Sequence, residues 1–77
     1  PDDIEEVSFS ISGSSIPLSN LLKDCGMTAS TSEAIRMINQ GAVRIDEEKI
    51  IDTKHTISSG TSAIYQVGKR KFKKITL

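Results

Sequence analysis

Seventy-seven residues give room for one domain with one modest core, because a chain of this size buries only about 60% of the surface its unfolded form exposes. Ten basic and ten acidic residues bring the net charge to zero, and 36% hydrophobic with 26% charged residues describes a globular chain. Little material is left for a deep catalytic cleft, and no stretch approaches the roughly 20 apolar residues that would span a bilayer.

The zero net charge hides an uneven distribution. Asp2, Asp3, Glu5 and Glu6 crowd the start, whereas Lys69, Arg70, Lys71, Lys73 and Lys74 crowd the end. Local potential, rather than the sum, steers a charged partner. The acidic start is nearly free of apolar groups and reads as linker over residues 1–6, with one folded domain over residues 7–77. The chain opens at Pro1 with neither an initiator Met nor a signal-peptide pattern, as an excised segment would.

Val7, Phe9 and Ile11 alternate with Ser8, Ser10 and Ser12, which predicts a half-buried strand broken at Gly13-Ser14-Ser15. Pro17 suits the first turn of a helix, where its missing N–H costs nothing. Leu18, Leu21, Leu22 and Cys25 then follow at helical spacing as one apolar stripe, with Ser19, Asn20, Lys23 and Asp24 on the other side. Gly26 is placed as a left-handed cap, with Met27 making the hydrophobic contact back onto the helix.

Ser30-x-x-Glu33 is the signature of a capping box and opens a second helix. Ala34, Ile35, Met37 and Ile38 share one arc of it; Ser32, Glu33, Arg36, Asn39 and Gln40 share the opposite arc, and Gly41 ends it. The remainder reads as strands. Val43 and Ile45 point one way and Arg44 the other, before a turn through Glu47 and Glu48 and a strand from Lys49 to Ile51. Ser58-Ser59-Gly60 is a further turn. Ala63, Tyr65 and Val67 alternate with Ile64 and Gln66, and Gly68-Lys69-Arg70 turns the chain into a last strand from Lys71 to Leu77. There Phe72 is out of phase with Ile75 and Leu77, so a β-bulge near Lys73-Lys74 is expected to restore the register.

Catalytic constellations are not to be found. His55 and Cys25 stand alone and far apart, short of a metal-ligand set. Cys25 falls inside an apolar stripe, as a small buried hydrophobe does, and His55 reads as a solvated loop residue. No glycine-rich phosphate loop occurs. A lone cysteine suits a reducing, cytoplasmic setting. The basic run has a bland reading as a solvated hairpin. The cation and amides of the second helix, with Arg44 just beyond it, favour a phosphate-binding surface instead. Only Phe9, Tyr65 and Phe72 are aromatic, each at a position that looks like core, which disfavours recognition by stacking unpaired bases on aromatic platforms.

IPLSNLLKDCGMTASTSEAIRMINQGAVRID, residues 16–46, resembles the αL RNA-binding motif shared with ribosomal protein S-four. Taken with the ending VGKRKFKKITL, it resembles the C-terminal domain of bacterial-type tyrosyl-tRNA synthetases over roughly residues 7–77. The resemblance implies an α+β fold: two helices, a helix-turn-helix of the αL type, packed on a small, mainly antiparallel sheet of about five strands. It implies that the domain grips the long variable arm and anticodon region of tyrosine tRNA. The upstream catalytic domain of a homodimeric class I tyrosine–tRNA ligase would attach tyrosine with ATP. This segment itself, a monomer, would hold neither cofactor nor metal, perform no catalysis and touch no membrane. Ser32, Arg36, Asn39, Gln40, Arg44, Lys69, Arg70 and Lys71 are the implied RNA contacts, with Lys23 on the first helix beside them. The turn at Glu47-Glu48 departs from the Asn-Gly or Asp-Gly pair of such domains, and its carboxylates point to a tip turned away from phosphate. Two other readings share these features: the αL domain of a pseudouridine synthase or ribosome-associated protein, and a basic protein-interaction module.

Overall fold

The computed structural model describes residues 4–77. Seven strands and two helices follow in the order β1 (Glu5–Ser8), β2 (Ser15–Pro17), α1 (Leu18–Asp24), α2 (Thr31–Asn39), β3 (Val43–Ile45), β4 (Glu48–Ile50), β5 (Thr56–Ser58), β6 (Ser62–Val67) and β7 (Lys71–Thr76). Five strands form one sheet in the order β1-β7-β6-β3-β4. Only the β1–β7 pair is parallel. The α+β architecture expected from the sequence is present. The separate antiparallel ribbon of β2 and β5 is an addition to it. No helix among the described residues is long and apolar enough to cross a membrane.

Helix α1 buries Leu18, Leu21 and Leu22, with Cys25 at its C-cap and Met27 just beyond. Pro17 is the extended N-cap rather than a first-turn residue, because it also closes β2 opposite Thr56. Ser19, expected on the solvent side, is buried as well. The helix ends in a Schellman motif: Met27 N–H donates to the Leu22 carbonyl at 2.8 Å and Gly26 N–H to that of Lys23 at 3.0 Å. Gly26 takes φ 78°, which a side chain resists.

Helix α2 opens with the predicted capping box. Glu33 N–H donates to Ser30 Oγ at 3.1 Å, and Glu33 Oε1 accepts from Ala29 N–H at 2.9 Å. It closes on a second Schellman motif around Gly41. Of its apolar arc, Ala34 and Ile38 are fully buried, Met37 is half-buried and Ile35 is 39% exposed. Ile35 and Met37 flank the buried stripe on opposite sides, and only Met37 has the β6–β7 turn beside it.

The sheet covers the helices with one face, contributing Val43, Tyr65, Val67 and Ile75 to the core, with Val7, Ile45, Ile50 and Ala63 around them. Four expectations are corrected by its register. Strand β1 begins at Glu5 and stops at Ser8, so Glu5 and Glu6, read above as linker, are strand residues paired with Lys73 and Lys74; residues 1–3 of that stretch lie outside the described residues. The β6–β7 ladder runs unbroken from Ser62↔Thr76 to Val67↔Lys71, so there is no bulge at Lys73-Lys74. Phe72 simply lies on the outer face of the sheet, where it lines a hollow with Ile4, Ile64 and Gln66. Helix-side positions of the same strand go to Lys71, Lys73 and Ile75, which pair with Val67, Tyr65 and Ala63. Finally, Ile51 is not a strand residue and is 67% exposed.

The β3–β4 turn also moves by one residue. Ile45 pairs with Glu48, leaving Asp46 and Glu47 as the two turn residues, with φ of 50° and 72°. Positive φ at both central positions is the type I′ hairpin that normally selects Asn-Gly. Asp46 offsets part of its cost by hydrogen bonding: its N–H donates to the Ile64 carbonyl and its Oδ1 accepts from Ile64 N–H, both at 2.8 Å. Glu47 makes no such bond, so Glu47→Gly is expected to raise the free energy of unfolding by about 1 kcal/mol. A urea titration showing no gain would contradict this.

Candidate nucleic-acid interface

Two anchors set the geometry of the basic surface. The Schellman end of α2 reverses the chain so that Gln40, the C-cap, and Arg44, on β3, flank Gly41. The Gly68–Arg70 turn is then tied to this reversal, because Gly68 N–H donates to the Ala42 carbonyl at 2.8 Å. Gln66 Nε2 donates to the Gly68 carbonyl at 2.8 Å and steadies the same turn. As a result Gln40, Arg44 and Lys69 line one open groove of about 360 Å³, together with Gln66.

A second open hollow, of about 400 Å³, lies on the other side of the turn. Met27, Met37 and Val67 line it, as do Lys69, Arg70 and Lys71, and Glu33 stands among them. Gly68 and Lys69 belong to both, so the turn is the ridge between the two depressions.

The remaining sequence candidates are dispersed. Ser32, Arg36 and Asn39 are exposed on α2 and line neither depression. Lys23 is exposed in the last turn of α1 and lines neither one. Lys71 is exposed, and its Nζ donates to the Met27 carbonyl at 3.4 Å. Gln66, Glu33 and the two methionines were not singled out as site residues by sequence reasoning. Gln66 alternates with core residues, and the methionines fit the apolar stripes; only the docking of the β6–β7 turn sets Gln66 in one depression and Glu33 with the two methionines along the other.

The basic run is thus not one patch. Lys73 faces the helices, where its Nζ donates to the Cys25 carbonyl at 2.6 Å and lies 3.9 Å from Glu5 Oε1. A cation at the C-terminal end of α1 satisfies carbonyls the helix leaves free. Lys73→Met keeps the aliphatic stem and removes the charge. It should lower stability by about 1–2 kcal/mol in urea unfolding while leaving RNA affinity unchanged. An equal loss of RNA affinity would return Lys73 to the binding surface. Among the described residues Lys73–Glu5 is the one ion pair, so Arg36, Arg44, Lys69 and Arg70 have no carboxylate within 4.0 Å there.

Cys25 and Tyr65 are the perturbed groups, and both belong to the core. Burial pushes the Cys25 thiol up, and the nearby Lys73 ammonium only opposes that shift. His55 is half-buried before β5, and its carbonyl accepts from Leu18 N–H at 2.9 Å. The Tyr65 phenol is pushed up from 10.0 to about 12, by burial first and then by the charges of Asp46 and Cys25. A folded pKa above the unfolded one stabilises below the unfolded value, and that stability disappears as pH rises through the folded value. Stability is therefore expected to fall between pH 10 and about 12. Tyr65 is the sole tyrosine, so tyrosinate absorbance should rise together with loss of structure. A folded chain titrating at pH 10 would contradict this.

Comparison with known proteins places this arrangement. Tyrosine–tRNA ligase of Shewanella oneidensis is 56% identical over 77 residues, and that of Colwellia psychrerythraea 53%; the match takes in 100% of this chain and 19% of each relative. Tyrosine–tRNA ligase 2 of Pseudoalteromonas translucida is 56% identical over 78 aligned residues, covering 100% of this chain and 20% of the relative. The chain therefore spans about a fifth of the length of the relatives it matches. Residues 2–75 match the family described as the tyrosine–tRNA ligase SYY-like C-terminal domain, and the chain belongs to that family.

Proposed function

We propose that this domain binds tyrosine tRNA on behalf of a cytoplasmic tyrosine–tRNA ligase. The catalytic part, outside this chain, would attach tyrosine with ATP, and the intact protein would act as a homodimer. The domain itself performs no chemistry; it holds the long variable arm and the anticodon region. The observation that carries this reading is the groove in which Gln40, Arg44 and Lys69 converge, two cations and an amide free of carboxylate partners among the described residues. Lysine and arginine there supply affinity through phosphates, and the shape of the folded RNA supplies selectivity. Ser32, Arg36 and Asn39 extend the contact along α2. Arg70 and Lys71 extend it past the turn, and Lys23 lies at its margin.

The test is a filter-binding titration of the 77-residue chain with tyrosine tRNA, alongside the same tRNA with its long arm deleted. Affinity that falls on deletion and declines with salt is expected. Equal affinity for both would remove the variable arm from the proposal. Binding independent of salt would favour an acidic protein partner.

A further inference from the structure

Gly26 and Gly41 close the two helices, and a lysine side chain lies over each. A β-carbon placed on Gly26 would stand 3.7 Å from Lys73 Nζ; one placed on Gly41 would stand 3.2 Å from Lys49 Cδ, 3.5 Å from Cε and 3.6 Å from Nζ. The bare glycine backbone thus gives the Lys49 stem its track and keeps the ammonium beside the turn that ends α2. The two lysines differ in what they do there. Lys73 donates to the Cys25 carbonyl and pairs with Glu5. Lys49 is exposed, and its ammonium makes neither a hydrogen bond nor an ion pair among the described residues. Capping of α2, the structural role open to it, would take the kind of carbonyl bond that Lys73 makes.

The sheet register adds a second observation. Lys49 stands directly opposite Arg44 in the β3–β4 ladder, and Arg44 opposite Gln66 in the next. Directly opposite residues share a face, with β-carbons about 4.5–5.5 Å apart, and like charges so placed destabilise the pair. Glu48 alternates onto the other face, and the Asp46 carboxylate accepts from Ile64 N–H. The hairpin therefore carries a repulsion that no carboxylate within 4.0 Å relieves among the described residues. Arg44 and Gly41 already line the groove that holds Gln40 and Lys69.

We infer that Lys49 is a phosphate-binding residue of this interface, and that Arg44 and Lys49 hold two neighbouring phosphates of one RNA strand. The inference rests on the tRNA-binding reading and deepens it, carrying the contact from the Gly68–Arg70 turn across β3 onto β4. Lysine suits the place as a point charge on a long stem. Phosphates bound at the pair replace the Arg44–Lys49 repulsion with attraction to a common partner.

Tyrosine tRNA is titrated at several salt concentrations against the 77-residue chain, Lys49→Met and Lys49→Arg, and each protein is unfolded in urea. Lys49→Met keeps the stem over Gly41 and is expected to weaken binding several-fold. It should flatten the slope of log affinity against log salt by about 0.7–0.9. Its urea midpoint should be unchanged or higher, since a like-charge contact is removed. Lys49→Arg should keep both affinity and slope. Unchanged affinity and slope in Lys49→Met, with salt-dependent binding by the unaltered chain, would overturn the assignment and leave the tRNA reading standing. A fall in urea midpoint that accompanies the loss of affinity, or no recovery in Lys49→Arg, would make Lys49 a structural residue and overturn it too. Inorganic phosphate at matched ionic strength should not displace the tRNA; displacement that Lys49→Met abolishes would give the site to free phosphate instead of an RNA strand. Salt-independent or absent binding by the unaltered chain would remove the tRNA reading, and this inference with it.

Discussion

Replacing Arg44 and Lys69 together with alanine is expected to weaken binding of tyrosine tRNA about 30-fold at moderate salt. The two residues approach from different parts of the chain, β3 and the β6–β7 turn, and line one groove. Charge-assisted hydrogen bonds to phosphate contribute about 1.5–3 kcal/mol when shielded. Exposure of both side chains reduces that to about 1 kcal/mol or slightly more each. The salt dependence is the sharper readout. Each phosphate left without its cation lowers the slope of log affinity against log salt by about 0.7–0.9, so the double variant should show a slope shallower by about 1.5. Arg36→Ala, outside the groove, should act in the same direction and less strongly. In the intact ligase, activation of tyrosine should be untouched by these changes. An unaltered affinity and slope in the double variant would take this groove out of the interface.

Ile38→Ala should lower the free energy of unfolding by about 3 kcal/mol, and Ile35→Ala by well under 1 kcal/mol. Both isoleucines sit on the apolar arc of α2, Ile38 near its centre and Ile35 at its edge. Ile38 is 0% exposed in the core cluster with Leu21, Leu22, Val43 and Ile75, whereas Ile35 is 39% exposed. The first substitution leaves a cavity walled by side chains that cannot fully collapse; the second trims an edge already in water. A domain of this size has only about 4–12 kcal/mol of stability in all, so the first variant should be visibly sensitive to heat and denaturant. Similar losses for both would mean that Ile35 is covered in solution.

Features carried by neighbouring residues were legible from the sequence. The capping box at Ser30 and Glu33, the Schellman ends at Gly26 and Gly41, and the alternation of Ala63, Tyr65 and Val67 are all found in the structure. Each depends on residues within a few positions of one another, where spacing alone sets the hydrogen bond or the face. The candidate site was legible as residue types and as a resemblance, without its grouping. Arg44 and Lys69 are 25 positions apart by their numbers, and the Gly68–Ala42 hydrogen bond that brings their segments together has no signature in either segment.

By itself the sequence determined two capped helices, a strand-rich second half and a concentration of cations near the end, because propensity, caps and period-2 patterning act locally. Tertiary structure decided which faces are covered. Alternation around Phe72 announces two faces of β7 and does not say that the helices take the one bearing Lys71, Lys73 and Ile75. It likewise decided that β1 joins β7 in parallel, that β2 finds β5, and that Lys73 caps α1 while Lys69 has no carboxylate partner among the described residues. Those outcomes depend on contacts between distant segments, whose free energy exists only once the whole core has closed.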